Sequence, residues 1–90
     1  MNRRQQWRKV LDFEVKRCLV MPYEQLQFAL RNQPAYEVEF DSKKYQVEME
    51  ILENTEQYLH VMVAVDDGSL PASILPVTHT FIRNKPVSGI

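Results

Sequence analysis

The side chains that could do chemistry in this sequence are few, and their spacing limits each of them. His60 and His79 could face one another if the strands carrying them pair. With Asp66 and Asp67 they would make a small set for metal binding or general-base work. No H-x-H, H-E-x-x-H or C-x-x-C spacing accompanies them, and a cross-strand ion pair of His60 with Glu50 is the simpler expectation. Cys18 stands on an apolar helical face one turn after Glu14, a setting that favours packing over thiolate chemistry. Glu14 projects toward that same face, so it must either reach a partner such as Arg17 or mark the limit of the packed surface. Arg3, Arg4, Arg8 and Lys9 surround Trp7, a candidate basic patch of the kind that contacts nucleic acid. Gly68 and Gly89 are the only glycines, so no glycine-rich phosphate loop exists, and Asp66-Asp67-Gly68 lacks the alternating oxygen ligands of a calcium loop. No catalytic, cofactor or metal site is expected from these patterns.

The elements that must position these groups are legible from periodicity. Over residues 3–20, Trp7, Val10, Leu11, Val15, Cys18, Leu19 and Met21 fall on one broad helical face, with Phe13 and Val20 beside it. Pro22 breaks this helix or kinks it, and Tyr23, Leu26 and Leu30 continue at helical spacing over about 22–32. From Ala35 the period changes to two. Strands are expected at about 35–41, 44–52, 57–66 and 77–83, with turns at Asp41-Ser42-Lys43-Lys44, Glu53-Asn54-Thr55-Glu56 and Asp66-Asp67-Gly68-Ser69. Pro71 and Pro76 bound a short irregular stretch before the last strand. Residues 1–84 are read as one α+β domain, an N-terminal helix or kinked helix pair packed on one face of a three- to four-stranded antiparallel meander. Residues 85–90 are read as a flexible tail.

Matching apolar faces sets Phe40 opposite Tyr45, Val38 opposite Val47 and Glu37 opposite Glu48 in the first hairpin. In the second it sets Ile51 opposite Leu59, Met49 opposite Val61 and Glu50 opposite His60. Glu37, Glu39, Glu48 and Glu50 then share the outer sheet face, where opposed like charges carry a small cost that a basic partner could relieve. Beside them Tyr58, His60, Met62 and Ala64 form a less polar strip. Either Val77, His79 and Phe81 or Thr78, Thr80 and Ile82 extend it, provided the fourth strand pairs with the third. Tyr58, His60, Met62, Glu37, Glu48 and Glu50 are therefore the candidate interaction surface, unless the Leu70–Pro76 segment or the tail covers it.

Composition bounds the remaining choices. The chain has 90 residues, 44% apolar and 26% charged, enough for one modest core and too apolar for disorder. A single cysteine points to a reducing compartment, the cytoplasm. The longest apolar run, Val61 to Val65, is too short to span a membrane, and charges interrupt any leader-like stretch near the start, so a complete, soluble protein is expected. Net charge is −1 but uneven: residues 1–20 hold six basic and two acidic residues, net +4, and residues 21–90 hold five and ten, net −5.

The run Ala35-Tyr36-Glu37-Val38-Glu39-Phe40, the run Val65-Asp66-Asp67-Gly68-Ser69, and Phe81-Ile82 after a proline-bounded segment resemble short, uncharacterised bacterial proteins of helix-then-meander type. That resemblance implies a bacterial, cytoplasmic protein and carries no activity. A helix followed by three strands is also similar to the start of double-stranded-RNA-binding folds and of HicA-type toxins. The chain departs from both: it has no basic C-terminal helix and no Gly-Ser-His on a strand.

The expected function is a non-enzymatic protein-interaction module that binds a protein partner or associates with itself. A nucleic-acid-associated protein using the basic helix is the alternative, and a small enzyme using Glu14, His60, His79 or the two aspartates is the third reading. No membrane partner is expected, and a slightly acidic protein is a poor phosphate binder.

Overall fold

The computed structural model describes residues 3–69 and 76–86, without the side chain of Arg3. Two helices, α1 (Arg3–Val20) and α2 (Tyr23–Asn32), precede four strands, β1 (Ala35–Phe40), β2 (Lys43–Asn54), β3 (Tyr58–Asp66) and β4 (Val77–Asn84). The strands form one antiparallel sheet in the order β1-β2-β3-β4, and both helices lie on one face of it, α1 across β3 and β4 and α2 over β2. The chain is an α+β protein.

Pro22 explains the break between the helices. Its extended backbone (φ −57°, ψ 148°) cannot continue α1, yet its carbonyl accepts the Leu26 amide and opens α2. Glu24 in the first turn of α2 and Arg31 in the last suit the helix dipole. The core joins Trp7, Val10, Leu11, Val15 and Cys18 of α1 and Leu26 and Leu30 of α2 to Tyr45, Val47, Met49, Leu59, Val61, Val63, Val65, Val77 and Phe81. Each fully buried aliphatic side chain contributes roughly 1.5–3 kcal/mol. Leu19, expected on the packed face, is 48% exposed. The buried arc of α1 runs instead through Val10, Glu14 and Met21, away from Leu19.

Both hairpin registers differ from the sequence expectation by two residues. Val38 pairs with Tyr45, Tyr36 with Val47, Glu37 with Gln46 and Ala35 with Glu48. The turn holds only Asp41 and Ser42, at φ 53° and 63°, and the twist of such a left-handed pair suits a two-residue hairpin. Lys43 and Lys44 thus belong to β2. In the second hairpin Ile51 pairs with Val61, Met49 with Val63, Glu50 with Met62 and Glu53 with His60. A bulge at Leu52 absorbs one residue, and β2 continues to Asn54. Thr55 Oγ1 then accepts the Gln57 and Tyr58 amides and closes the turn. A shift of two keeps every side chain on its expected face, which is why the core is nevertheless the expected one.

β4 pairs with β3 along its whole length, Val65 with Val77 and Tyr58 with Asn84. Order extends past the expected domain limit, since the Lys85 amide donates to the Gln57 carbonyl and its Nζ to Asn54 Oδ1. The proline-bounded segment at 70–75 and the tail at 87–90 lie outside the described residues.

Candidate functional site

The buried carboxylate of Glu14 is the centre of the candidate site. It is 3% exposed, the one charged residue within the core layer among the described residues. Helical geometry puts Arg17 one turn further on, where its Nε and Nη2 donate to Glu14 Oε1 at 3.3 and 3.0 Å. Strand alternation turns Tyr36 of β1 toward the helices, and its hydroxyl donates to the same oxygen at 2.5 Å. Arg17 Nη2 also donates to the Tyr36 hydroxyl at 2.9 Å, and the guanidinium lies 5.5 Å from the centre of that ring. One carboxylate oxygen therefore takes three donors. Among the described residues no hydrogen bond reaches Oε2.

Burial, the hydrogen bond to Glu14 and the charge of Glu14 together push the Tyr36 phenol far above its ordinary range. Burial opposes the charged form of Arg17, but its contacts with Glu14 and Tyr36 outweigh that and raise its pKa. Tyr36 is thus held protonated and Arg17 charged. The cluster can donate and accept hydrogen bonds, and a phenol so held is a poor base.

The cluster sits in a cleft. The helices cover β2, β3 and β4, which leaves the inner face of β1, Tyr36, Val38 and Phe40, only half-buried. Two cavities follow β1 in series. The first, about 330 Å³, is bounded by Glu14, Arg17, Ala29, Gln33, Ala35, Tyr36, Val38 and Met49. The second, about 320 Å³, is bounded by Val10, Phe13, Glu14, Val38, Glu39 and Phe40. Glu14 and Val38 border both. Phe13 is 64% exposed at this cleft, and Val20, two turns along the same side of α1, is 82% exposed.

The candidate interaction surface lies on the opposite face of the sheet. Tyr58, His60 and Met62 are half-buried along β3, flanked by Thr78, Thr80 and Ile82 of β4. Tyr58 donates to Glu53 at 2.7 Å, a bond that raises its phenol pKa. Glu37, Glu48 and Glu50 are exposed there, but no two of them are directly opposed. Gln46 Nε2 donates to Glu37 at 3.0 Å, and Lys44 Nζ lies 3.9 Å from the same carboxylate. The expected Glu37–Glu48 repulsion therefore does not arise. His60 faces Glu53 and Ile82, and not Glu50. His79 is paired with Val63 and so turns to the helix-side face, away from His60, which rules out a shared histidine site. Asp66 and Asp67 accept the Gly68 and Ser69 amides and shape the turn, where Gly68 has φ +75°. Among the described residues no three His, Cys, Asp or Glu side chains group as metal ligands.

Of the candidate basic patch, Arg8 and Lys9 are exposed and Arg4 lies 5.8 Å from the Trp7 ring centre, while the Arg3 side chain is outside the described residues. Cys18 is fully buried with its Sγ 3.9 Å from Met49 Sδ, and burial pushes its thiol up. Tyr36 is the member of the site that sequence reasoning missed. Its signal was a tyrosine on the inward side of a strand, whose hydroxyl must find a partner.

No protein-family model, no curated protein and no solved structure matches the chain. Among the described residues no helix is long and apolar enough to cross a membrane.

Proposed function

We propose that this chain is a cytoplasmic, non-enzymatic protein-interaction module whose binding surface is the cleft between α1 and β1. The single observation that carries this reading is the half-covered inner face of β1, open to two cavities and bordered by an exposed Phe13. β1 is also an edge strand of the sheet. An extended segment of a partner would pair with its free backbone and turn alternate side chains toward the cleft, while Glu37 and Glu39 on the other face favour a basic partner. The protonated Tyr36 and the buried Cys18 support a binding role over catalysis.

Selection from a random-peptide display library tests the reading. Enrichment of a consensus that alternates apolar and basic residues is expected, with binding lost in Val38→Asp and in Phe13→Asp and kept in Ile82→Lys on the other sheet face. Enriched peptides that bind Val38→Asp as well as the unaltered chain would move the site elsewhere, to the Tyr58–Met62 strip if Ile82→Lys weakens them.

A further inference from the structure

We infer that the second cavity is a receptor for one lysine side chain of the partner segment, with its ammonium donating to Glu14 Oε2. This inference rests on the cleft being the binding surface and names what enters it, a lysine at one of the partner's cleft-facing positions, the others being apolar.

The donor count comes first. Oε1 of Glu14 is saturated by Arg17 Nε, Arg17 Nη2 and the Tyr36 hydroxyl, whereas Oε2 accepts nothing among the described residues. A carboxylate has about four acceptor sites, and Oε2, which is not among the sealed polar atoms left without a partner, stays open to an incoming donor. Arg17 and Tyr36 border the first cavity but not the second, while Glu14 borders both. In the second cavity Glu14 is the only ionisable side chain on the inner side, since Glu39, between Val38 and Phe40, is turned to the outer sheet face by strand alternation. Arg17 pairs with Oε1 and borders the first cavity only, which leaves Oε2 as the acceptor an incoming cation would use in the second.

The walls then select the ligand. Val10 and Val38 suit an aliphatic stem, and the aromatic rings of Phe13 and Phe40 in the same lining are groups to which a cation is drawn over and above apolar contact. A single available oxygen suits an ammonium, which donates as a point charge. A guanidinium gains most from a two-oxygen fork, and Oε1 is already occupied. The cleft thus asks for a long apolar stem ending in one compact cation.

Titration of the intact chain with n-butylammonium, and separately with neutral 1-butanol, tests this by following side-chain NMR signals of Val10, Val38, Phe13 and Phe40. Saturable shifts are expected with the cation and weaker ones with the alcohol. Glu14→Gln should weaken the cation about tenfold and leave the alcohol unchanged, the loss of one charged hydrogen bond. Phe13→Ala, at an exposed position that does not threaten the fold, should weaken the cation several-fold, and amide spectra check that each variant is folded. Equal binding of alcohol and cation, or cation binding unmoved by both variants, overturns the lysine receptor. So does a cation that produces no saturable shift. Peptides selected on the cleft and lost in Val38→Asp would still stand in those cases, so failure here is distinct from failure of the interaction surface.

Discussion

At Glu14 the sequence allowed two outcomes, a partner one turn away or the end of the packed face, and the first is what the fold contains: Arg17 at 3.0 Å. Tyr36 was out of reach of sequence reasoning because a contact across 22 positions depends on how α1 sits over the sheet, which neither helical nor strand periodicity encodes. The energetics follow from the same contacts. Tyr36→Phe removes a donor from a buried carboxylate and should cost about 1–3 kcal/mol in urea unfolding. The variant also carries a pH signature. The folded-state pKa of Tyr36 lies above its ordinary value of 10.0, so the stability it contributes is complete below that pH. It is lost as pH rises further, because the unfolded chain releases the proton and the folded chain keeps it. The unaltered protein should lose stability from about pH 10 to about pH 12 more steeply than Tyr36→Phe does. Parallel slopes for the two would show that the phenol is not held by Glu14.

At the scale of elements, the helical stretch and β1, β2 and β3 were legible from their own periods and β4 from its β-branched and aromatic residues, while Pro22 left open whether the first two helices were one kinked helix, which the structure resolves as two. Registers were not legible. Face matching fixes a register only to within an even shift, and the deciding information lay in two places that apolar patterning does not see. One is the φ of Asp41 and Ser42, and the other is the extra residue at Leu52. The acidic outer face shows why the observed register is the better one: it gives Glu37 a glutamine opposite and Glu39 a lysine, where the expected register opposed glutamates. The tight turn has a cost that can be measured. Ser42 at φ 63° occupies a region that glycine enters freely, so Ser42→Gly should stabilise the protein by about 0.5–1 kcal/mol in urea unfolding, even though glycine enlarges the entropy of the unfolded chain. Destabilisation by that substitution would point instead to the four-residue turn, with Phe40 opposite Tyr45.

Over the whole molecule the two layers carry opposite charge. α1 presents Arg8, Lys9 and Lys16 to solvent on one side, and the sheet presents Glu37, Glu39, Glu48 and Glu50 on the other. The separation was readable from the net +4 of residues 1–20, but its meaning depends on how many cations reach a single partner. Arg17 is engaged with Glu14 and Tyr36, and Arg4 lies against the Trp7 ring. That leaves about three phosphate contacts from α1 among the described side chains, fewer than the roughly six to ten that give a strongly salt-dependent complex. Each neutralised phosphate contributes a slope near −0.9 to the logarithm of affinity against that of salt, so three contacts give weak binding that fades quickly. Any retention on DNA or RNA at ~10 mM salt should accordingly be gone by about 0.15 M, where the Debye length of about 8 Å also screens the helix from distant phosphates. The slope should be near −3, and Lys9→Glu, which removes one contact, should bring it to about −2 and weaken retention further. Retention that persists at 0.15 M, roughly physiological strength, with a slope of about −6 or steeper, would require cations beyond those on α1 and would replace the cleft with the basic helix as the working surface.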